Sequence, residues 1–294
     1  MPSPLQIQNA EQNGARGAIL FSDPADVAAE GADEVFPDTW WLPGSGMQRG
    51  SAFLGDGDPL TPGWPSTEHA HRIQPEDAGF LSIPAQPIGY DDAFEILKRL
   101  DGDSSPEEWR GGLNLTYNLG PAFLPEYSDE ILRLSTHNYE DTFLSYNVFG
   151  TITGAVEPDR YVLLGNHRDA WGYGASDPSS GTAQLLETAR VMAQLVKQGW
   201  RPRRTIVFCS WGAEEFGLIG STEWVEEHVD KLQARAVAYV NTDTCSTGPL
   251  LEAPASPLLW DIIKTVTAMV PGVRNASKTV YQEWVDYYGT EDVP

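Results

Sequence analysis

The sequence predicts an α/β fold: a mainly parallel mixed sheet with helices on both faces, and a smaller α+β module ahead of it. Three observations carry that prediction. Short buried apolar runs alternate with longer stretches of helical periodicity. The chain changes character near residue 140, from Pro- and Gly-rich to regular. Hydrophobic residues make up 41% of 294, with ten Trp, which is enough to build a sizeable core.

The elements follow in order. Gly17 to Phe21 reads as a strand closed by Ser22-Asp23-Pro24. Pro37 to Pro65 is irregular and rich in Gly, Pro and Trp, a loop packed by its own side chains. Ile83 to Ile88 carries Pro84 and Pro87 and is at best an edge strand. From Tyr90 to Leu100 the apolar positions 93, 94, 96, 97 and 100 have helical spacing after Asp91-Asp92. Leu132 to His137 and Tyr146 to Thr153 read as strands, and Glu157-Pro158-Asp159 as a turn. Tyr161–Gly165, Thr205–Ser210 and Ala236–Val240 are three short buried strands. Between and after them lie a helix over Gly181–Lys197, a helix capped by Ser221, and an amphipathic helix over Leu258–Met269. The domains predicted are 1–140 and 141–294.

Composition narrows the function classes. With 42 Asp+Glu against 19 Lys+Arg and a net charge of −23, no basic excess exists to neutralise nucleic-acid phosphates or anionic lipid. Cys209 and Cys245 are too few for a disulfide framework or a Cys-rich zinc site; one bridge or two buried thiols remain. No run of 18 apolar residues exists to span a membrane, and Met1 to Gln6 has no signal-peptide character. Asn114 and Asn275 head sequons that would be glycosylated in a secreted context.

The chemistry gathers where the strands end. Tyr161–Gly165 runs into Asn166-His167-Arg168-Asp169, Thr205–Ser210 into Glu214-Glu215, and Ala236–Val240 into Asn241-Thr242-Asp243; Asp177 precedes the 181–197 helix. Ligands of open α/β sheets bind beyond the carboxyl ends of the strands. His167, Asp177, Glu215 and Asp243 are therefore expected to converge. A single His-X-Asp or Glu-Glu pair is ordinarily solvated surface, as Glu226-Glu227 is expected to be. Four such positions at successive strand ends are not. One imidazole crowded by three carboxylates calls for a divalent cation, and this donor set suits Zn or, less specifically, Mn or Co. The surplus of acids points to two ions sharing a carboxylate, with Asp177 between the others in sequence. Glu214 beside that site is a competent general base, and Asp169 can hold the other ring nitrogen of His167.

At these residues the chain resembles the co-catalytic zinc aminopeptidase and carboxypeptidase family, in the branch containing glutamate carboxypeptidase II and the transferrin receptor. The segments that carry the resemblance are Asn166 to Trp171, Ser176 to Gly181, Gly199 to Thr205, Trp211 to Trp224, and Asn241-Thr242-Asp243. The resemblance implies that 1–140 is part of a protease-associated apical domain and 141–294 part of a zinc exopeptidase domain. It implies that His167 and Asp243 bind one zinc, Glu215 binds the other, Asp177 bridges and Glu214 is the base. It further implies a structural calcium on Thr61, the Trp64 carbonyl, Glu223 and Glu226. The expected reaction is hydrolysis of peptide substrates by a water held between two zinc ions.

Two departures shape the expectation. The family's fifth zinc ligand is a His far beyond the Asp243 position, and the last His here is His228. The chain is thus expected to be a truncated, weakly active or inactive piece of a cell-surface, single-pass, homodimeric parent. Glutamate-selective members carry an Asn after Arg-Gly and an Arg shortly after the Asp243 position. Here Ser51 follows Arg49-Gly50, and Leu250 to Pro254 holds no Arg. Without groups to bind a substrate carboxylate, an aminopeptidase is favoured over a glutamate-selective carboxypeptidase. A non-catalytic receptor-like protein on the same fold is the third reading.

Overall fold

The apolar runs beginning at Tyr161 and Thr205 form the middle of one sheet and the run beginning at Ala236 lies at its edge, in a computed structural model that describes residues 4–290 except Ala32, Arg49, Thr247 and Pro249. Met1 to Ser3, and Arg49 of the Arg49-Gly50-Ser51 loop, lie outside the described residues. Clustering of contacts gives one compact unit over Met1–Asp243 and a second over Thr244–Pro294.

The first unit opens with α1 (Pro4–Gln12), β1 (Ala18–Leu20) and α2 (Pro24–Val27). Asp23 caps α2, its side chain accepting from Ala25 N, with Pro24 in the first helical turn where its missing N–H is harmless. β2 (Ala85–Pro87) pairs parallel with β1 in a two-stranded sheet, as an edge position allows for its prolines. α3 (Tyr90–Leu97) follows and buries Tyr90 and Ala93.

The main sheet is built from β3 (Val148–Ile152), β4 (Glu157–His167), β5 (Arg204–Trp211) and β6 (Ala236–Asn241), in the order β3-β5-β4-β6. β4 pairs parallel with both β5 and β6, while β3 lies antiparallel to β5, so the sheet is mixed with a parallel centre. The crossovers are α4 (Ser179–Lys197) and α5 (Ile219–Arg235). Leu163, Cys209 and Trp211 form its buried core, with Val207 and Trp224 packed against them. In the second unit, α6 (Pro257–Thr267) and α7 (Val280–Tyr288) contact each other.

Several expectations need correction. Ala236 to Val240 forms a strand but not a buried one: β6 is the edge of the sheet, and most of its residues are exposed. Glu157-Pro158-Asp159 is no turn but the start of β4. The register shifts between Glu157 and Tyr161, and that irregularity accommodates the proline. Leu132 to His137 has no regular structure and is mostly exposed, with Leu134 and Thr136 half-buried. Ser221 does not cap α5. The cap residue is Leu218, held in the left-handed region, and Ser221 Oγ instead donates to the Leu218 carbonyl. Cys209 and Cys245 are both thiols, but only Cys209 is buried, since Cys245 sits in irregular chain past β6. α1 and α7 were unforeseen. For α7 the signal was present: Thr279 and Gln282 make a reciprocal capping box.

Candidate metal centre

Parallel register fixes the rim. His167, the last residue of β4, pairs with Trp211 at the end of β5, and Gly165 pairs with Asn241 at the end of β6. The three loops that leave these ends, with the chain entering α4, therefore begin side by side. His167 is 3% exposed. Its Nε2 lies 3.0 Å from Asp243 Oδ1, 3.1 Å from Asp177 Oδ1 and 3.8 Å from Glu214 Oε2. The donor atoms of His167, Asp177 and Asp243 all fall within 4.8 Å of one another, a group able to hold a metal ion.

The surrounding backbone is arranged around this group. Asp169 accepts from Glu214 N at 2.9 Å and Glu215 N at 3.1 Å, while His167 Nδ1 lies 2.9 Å from the Asp169 carbonyl and 3.6 Å from its carboxylate. One acid thus orients both the imidazole and the Glu214-Glu215 turn. That turn starts at Ala213, whose φ of 56° lies in the left-handed region. Glu215 faces another way from Glu214: its Oε1 accepts from Trp171 N at 3.2 Å. Asn166, fully buried, donates to the Thr242 carbonyl at 2.9 Å and accepts from Thr182 Oγ1 on α4, joining the carriers of Asp243 and Asp177. Thr242 N in turn donates to the Gly165 carbonyl at 2.9 Å. Arg168 is turned to other work, its guanidinium donating to Ser210 and to the Tyr146 carbonyl.

Sequence reasoning passed over Asn166, Thr182 and Gly181. A polar residue closing an apolar run was the available signal for Asn166. Nothing local marked Gly181, whose lack of a side chain lets the Thr242 and Asp243 carbonyls pass close to α4.

Electrostatics match the geometry. Burial works against a charged His167, but its bonds to Asp169 and Asp243 and the charges of Glu214 and Asp243 outweigh it and raise it to about 9. Burial, reinforced by the charges of Asp243, Glu215 and Asp169, pushes Glu214 up to about 6. Glu215 is also raised, by burial and then by the charge of Asp177. Asp169 is lowered against the pull of burial by its bonds to His167 and the Glu214 and Glu215 amides. An imidazole nitrogen faced by carboxylate oxygens, with the acids starved of positive partners, is a donor set that fits zinc.

A second acidic group joins residues 57–66 to α5. Glu223 accepts from Asp58 N and Ser66 N, each at 2.6 Å, and lies 3.5 Å from the hydroxyl of Thr61, which is 1% exposed. Glu226 is raised by burial and then by the charge of Glu223, and its buried Oε2 has no hydrogen-bond partner. The Trp64 indole donates to the His71 carbonyl at 2.8 Å. Asn114 and Asn275 are both exposed, and Asn275 Oδ1 accepts from Ser277 N and Oγ within its sequon. No described helix is long and apolar enough to cross a membrane.

Comparison with known proteins gives a consistent relationship. The family model described as "Peptidase family M28" matches residues 147–292. The chain is 46% identical to aminopeptidase NAALADL1 of Mus musculus over 287 residues, which cover 95% of this chain and 38% of that protein. It is 47% identical to a glutamate carboxypeptidase 2 homolog of Caenorhabditis briggsae over 298 residues, covering 96% and 38%. It is 38% identical to transferrin receptor protein 2 of Homo sapiens over 282 residues, covering 95% and 34%. The chain therefore spans little more than a third of the length of these relatives. With relatives aligned along nearly all of the chain and the family model over residues 147–292, the chain carries a domain of peptidase family M28 over those residues.

Proposed function

We propose that this chain carries the metal-binding part of a zinc metallo-exopeptidase acting on peptides, of aminopeptidase type. The observation that supports it most is the convergence on buried His167 Nε2 of Asp177 at 3.1 Å and Asp243 at 3.0 Å. His167, Asp177 and Asp243 would hold one zinc, and Glu215 a second, sharing Asp177. Zinc bound there supplies a Lewis acid for a peptide carbonyl and lowers the pKa of a water. Glu214 moves the proton: raised to about 6, its carboxylate can accept one from the attacking water at Oε2 and return it to the leaving amine. Asp169 keeps Glu214 and His167 in register through the bonds described above. Arg168, next to His167 in the chain, is engaged with Ser210 and Tyr146. That favours substrates recognised at a free amino end over those recognised by a terminal carboxylate.

The same reading takes residues 1–140 as part of a protease-associated domain. It takes Thr61, Trp64, Glu223 and Glu226 as calcium ligands, the orphaned Glu226 Oε2 being what favours a cation there. It takes the whole protein as a glycosylated cell-surface homodimer. A receptor-like reading draws on the transferrin receptor relative. Against it stands Glu214, an acid a receptor has no need to keep beside the metal group. Metal analysis of the purified chain should find zinc that Asp177→Ala abolishes; zinc at background level in the parent chain rejects the site. In the full-length protein, Glu214→Gln should keep its zinc and lower peptidase activity by about 10²–10⁴-fold. Unchanged turnover in that variant rejects Glu214 as the base.

A further inference from the structure

We infer that Tyr239 is a positioning residue of the metal centre, tying the segment that carries Asp243 to the end of β5; this rests on the metal reading above. Tyr239 belongs to β6, yet its hydroxyl accepts from Trp211 Nε1 on β5 at 2.9 Å and donates to Asn241 Oδ1 at 2.7 Å. The strand order places β4 between β5 and β6, so the ring has to cross β4 to reach Trp211. It crosses at Gly165. A Cβ there would stand 2.5 Å from ring atoms Cε2 and Cζ and closer still to the hydroxyl, so only glycine leaves the passage open.

The two ends of this link are placed for the purpose. Asn241 stands two residues before Asp243, and Trp211 three before Glu214. Trp211 is 5% exposed and fixed by edge-on contact with Phe149 at 5.6 Å and by Trp224 at 5.4 Å. It is a rigid anchor. Asn166 holds the Thr242 carbonyl from the α4 side, while the Tyr239 hydroxyl holds the Asn241 side chain from the β5 side. The Asp243 carboxylate is thereby fixed between two supports before any ion binds, and outer partners of this kind set metal affinity.

The test compares Tyr239→Phe, Trp211→Phe and the double variant in this chain. The readouts are zinc affinity by chelator competition, the visible spectrum of bound cobalt, and the unfolding midpoint without metal. Tyr239→Phe keeps the ring and should weaken zinc by about 10–100-fold and alter the cobalt bands. Trp211→Phe breaks the tie to β5 but keeps the Tyr239–Asn241 bond, so it should weaken zinc by less than Tyr239→Phe does, although it loosens the core. The double variant orphans no indole N–H, so it should regain stability over Tyr239→Phe yet stay as weak towards zinc. Zinc affinity of Tyr239→Phe within about threefold of the parent overturns the inference, as does weakening that simply follows stability across the three variants. A parent chain that binds neither zinc nor cobalt overturns the metal reading and the inference with it.

Discussion

Replacing Gly181 by Ala sets two effects against each other at the point where α4 meets the Asp243 segment. Gly181 is the third residue of α4, and Ala in a helix is favoured over Gly by about 1 kcal/mol. On propensity alone the variant would be more stable. The surroundings reverse the sign. A Cβ at 181 would lie 2.7 Å from Asn166 Nδ2 and well inside 3.0 Å of the backbone carbonyls of Thr242 and Asp243. Carbon contacts settle near 3.5 Å, so α4 or the Asp243 segment has to retreat on the order of 1 Å. Overpacking of this kind costs about 1–3 kcal/mol, so the net result is destabilisation by on the order of 1 kcal/mol. The larger effect falls on the site, because the retreat separates Asp243 from His167 and Asp177. Zinc affinity should drop by about 10–100-fold. Denaturant unfolding of the metal-free chain gives the first quantity and chelator competition the second. A variant at least as stable as the parent, with zinc affinity unchanged, would refute the claim that this close passage holds the centre together.

Three further outcomes are expected. His167 stands at about 9 in the metal-free chain against an ordinary 6.5, so its charged form contributes stability that is full below about pH 6.5 and is lost as pH rises through about 9. The unfolding midpoint of the metal-free chain should fall across that window, and His167→Gln should remove the fall; a parent midpoint that stays level contradicts it. Asp169→Asn removes the charge that orients His167 and two backbone amides, and should weaken zinc by about tenfold, read by the same competition assay. Glu223→Ala leaves Asp58 N and Ser66 N without their acceptor and should cost on the order of 2 kcal/mol, with faster hydrogen exchange at both amides. Unaltered exchange there would show that Glu223 does not anchor this segment.

Much of this architecture is written in the order of residues, and what is not has physical reasons. β4, β5 and β6 were legible because each reads as an unbroken apolar run, although β6 proves to be an exposed edge strand, and the acids and the histidine that follow them were legible because parallel strands end on one rim. Pro158 misled because proline marks turns far more often than a register shift inside a strand. Leu132 to His137 misled because alternating apolar residues propose a strand, while pairing depends on a neighbour that sequence does not supply. The supports of the centre were the least legible. Asn166 touches residues 16 and 76 positions away, and Tyr239 matters through a glycine on another strand. Such roles exist only after the strands are laid side by side.

The charge of −23 takes on a local meaning at this rim. A cluster of acids alone would say little. What distinguishes the centre is that four carboxylates stand within 3.8 Å of the ring nitrogens of a single imidazole that is 3% exposed. Among the described residues no Lys or Arg forms an ion pair with any of the four. Held together without a positive charge, they would repel one another at a cost that burial increases. A proton on His167 meets part of that need and explains why the imidazole binds it so firmly. A divalent ion at Nε2 meets it more fully, and one nitrogen cannot hold both. The geometry that raises His167 is thus the same geometry that would favour a metal: proton and ion would compete for one seat, and the ion would bring the greater charge to the acids around it.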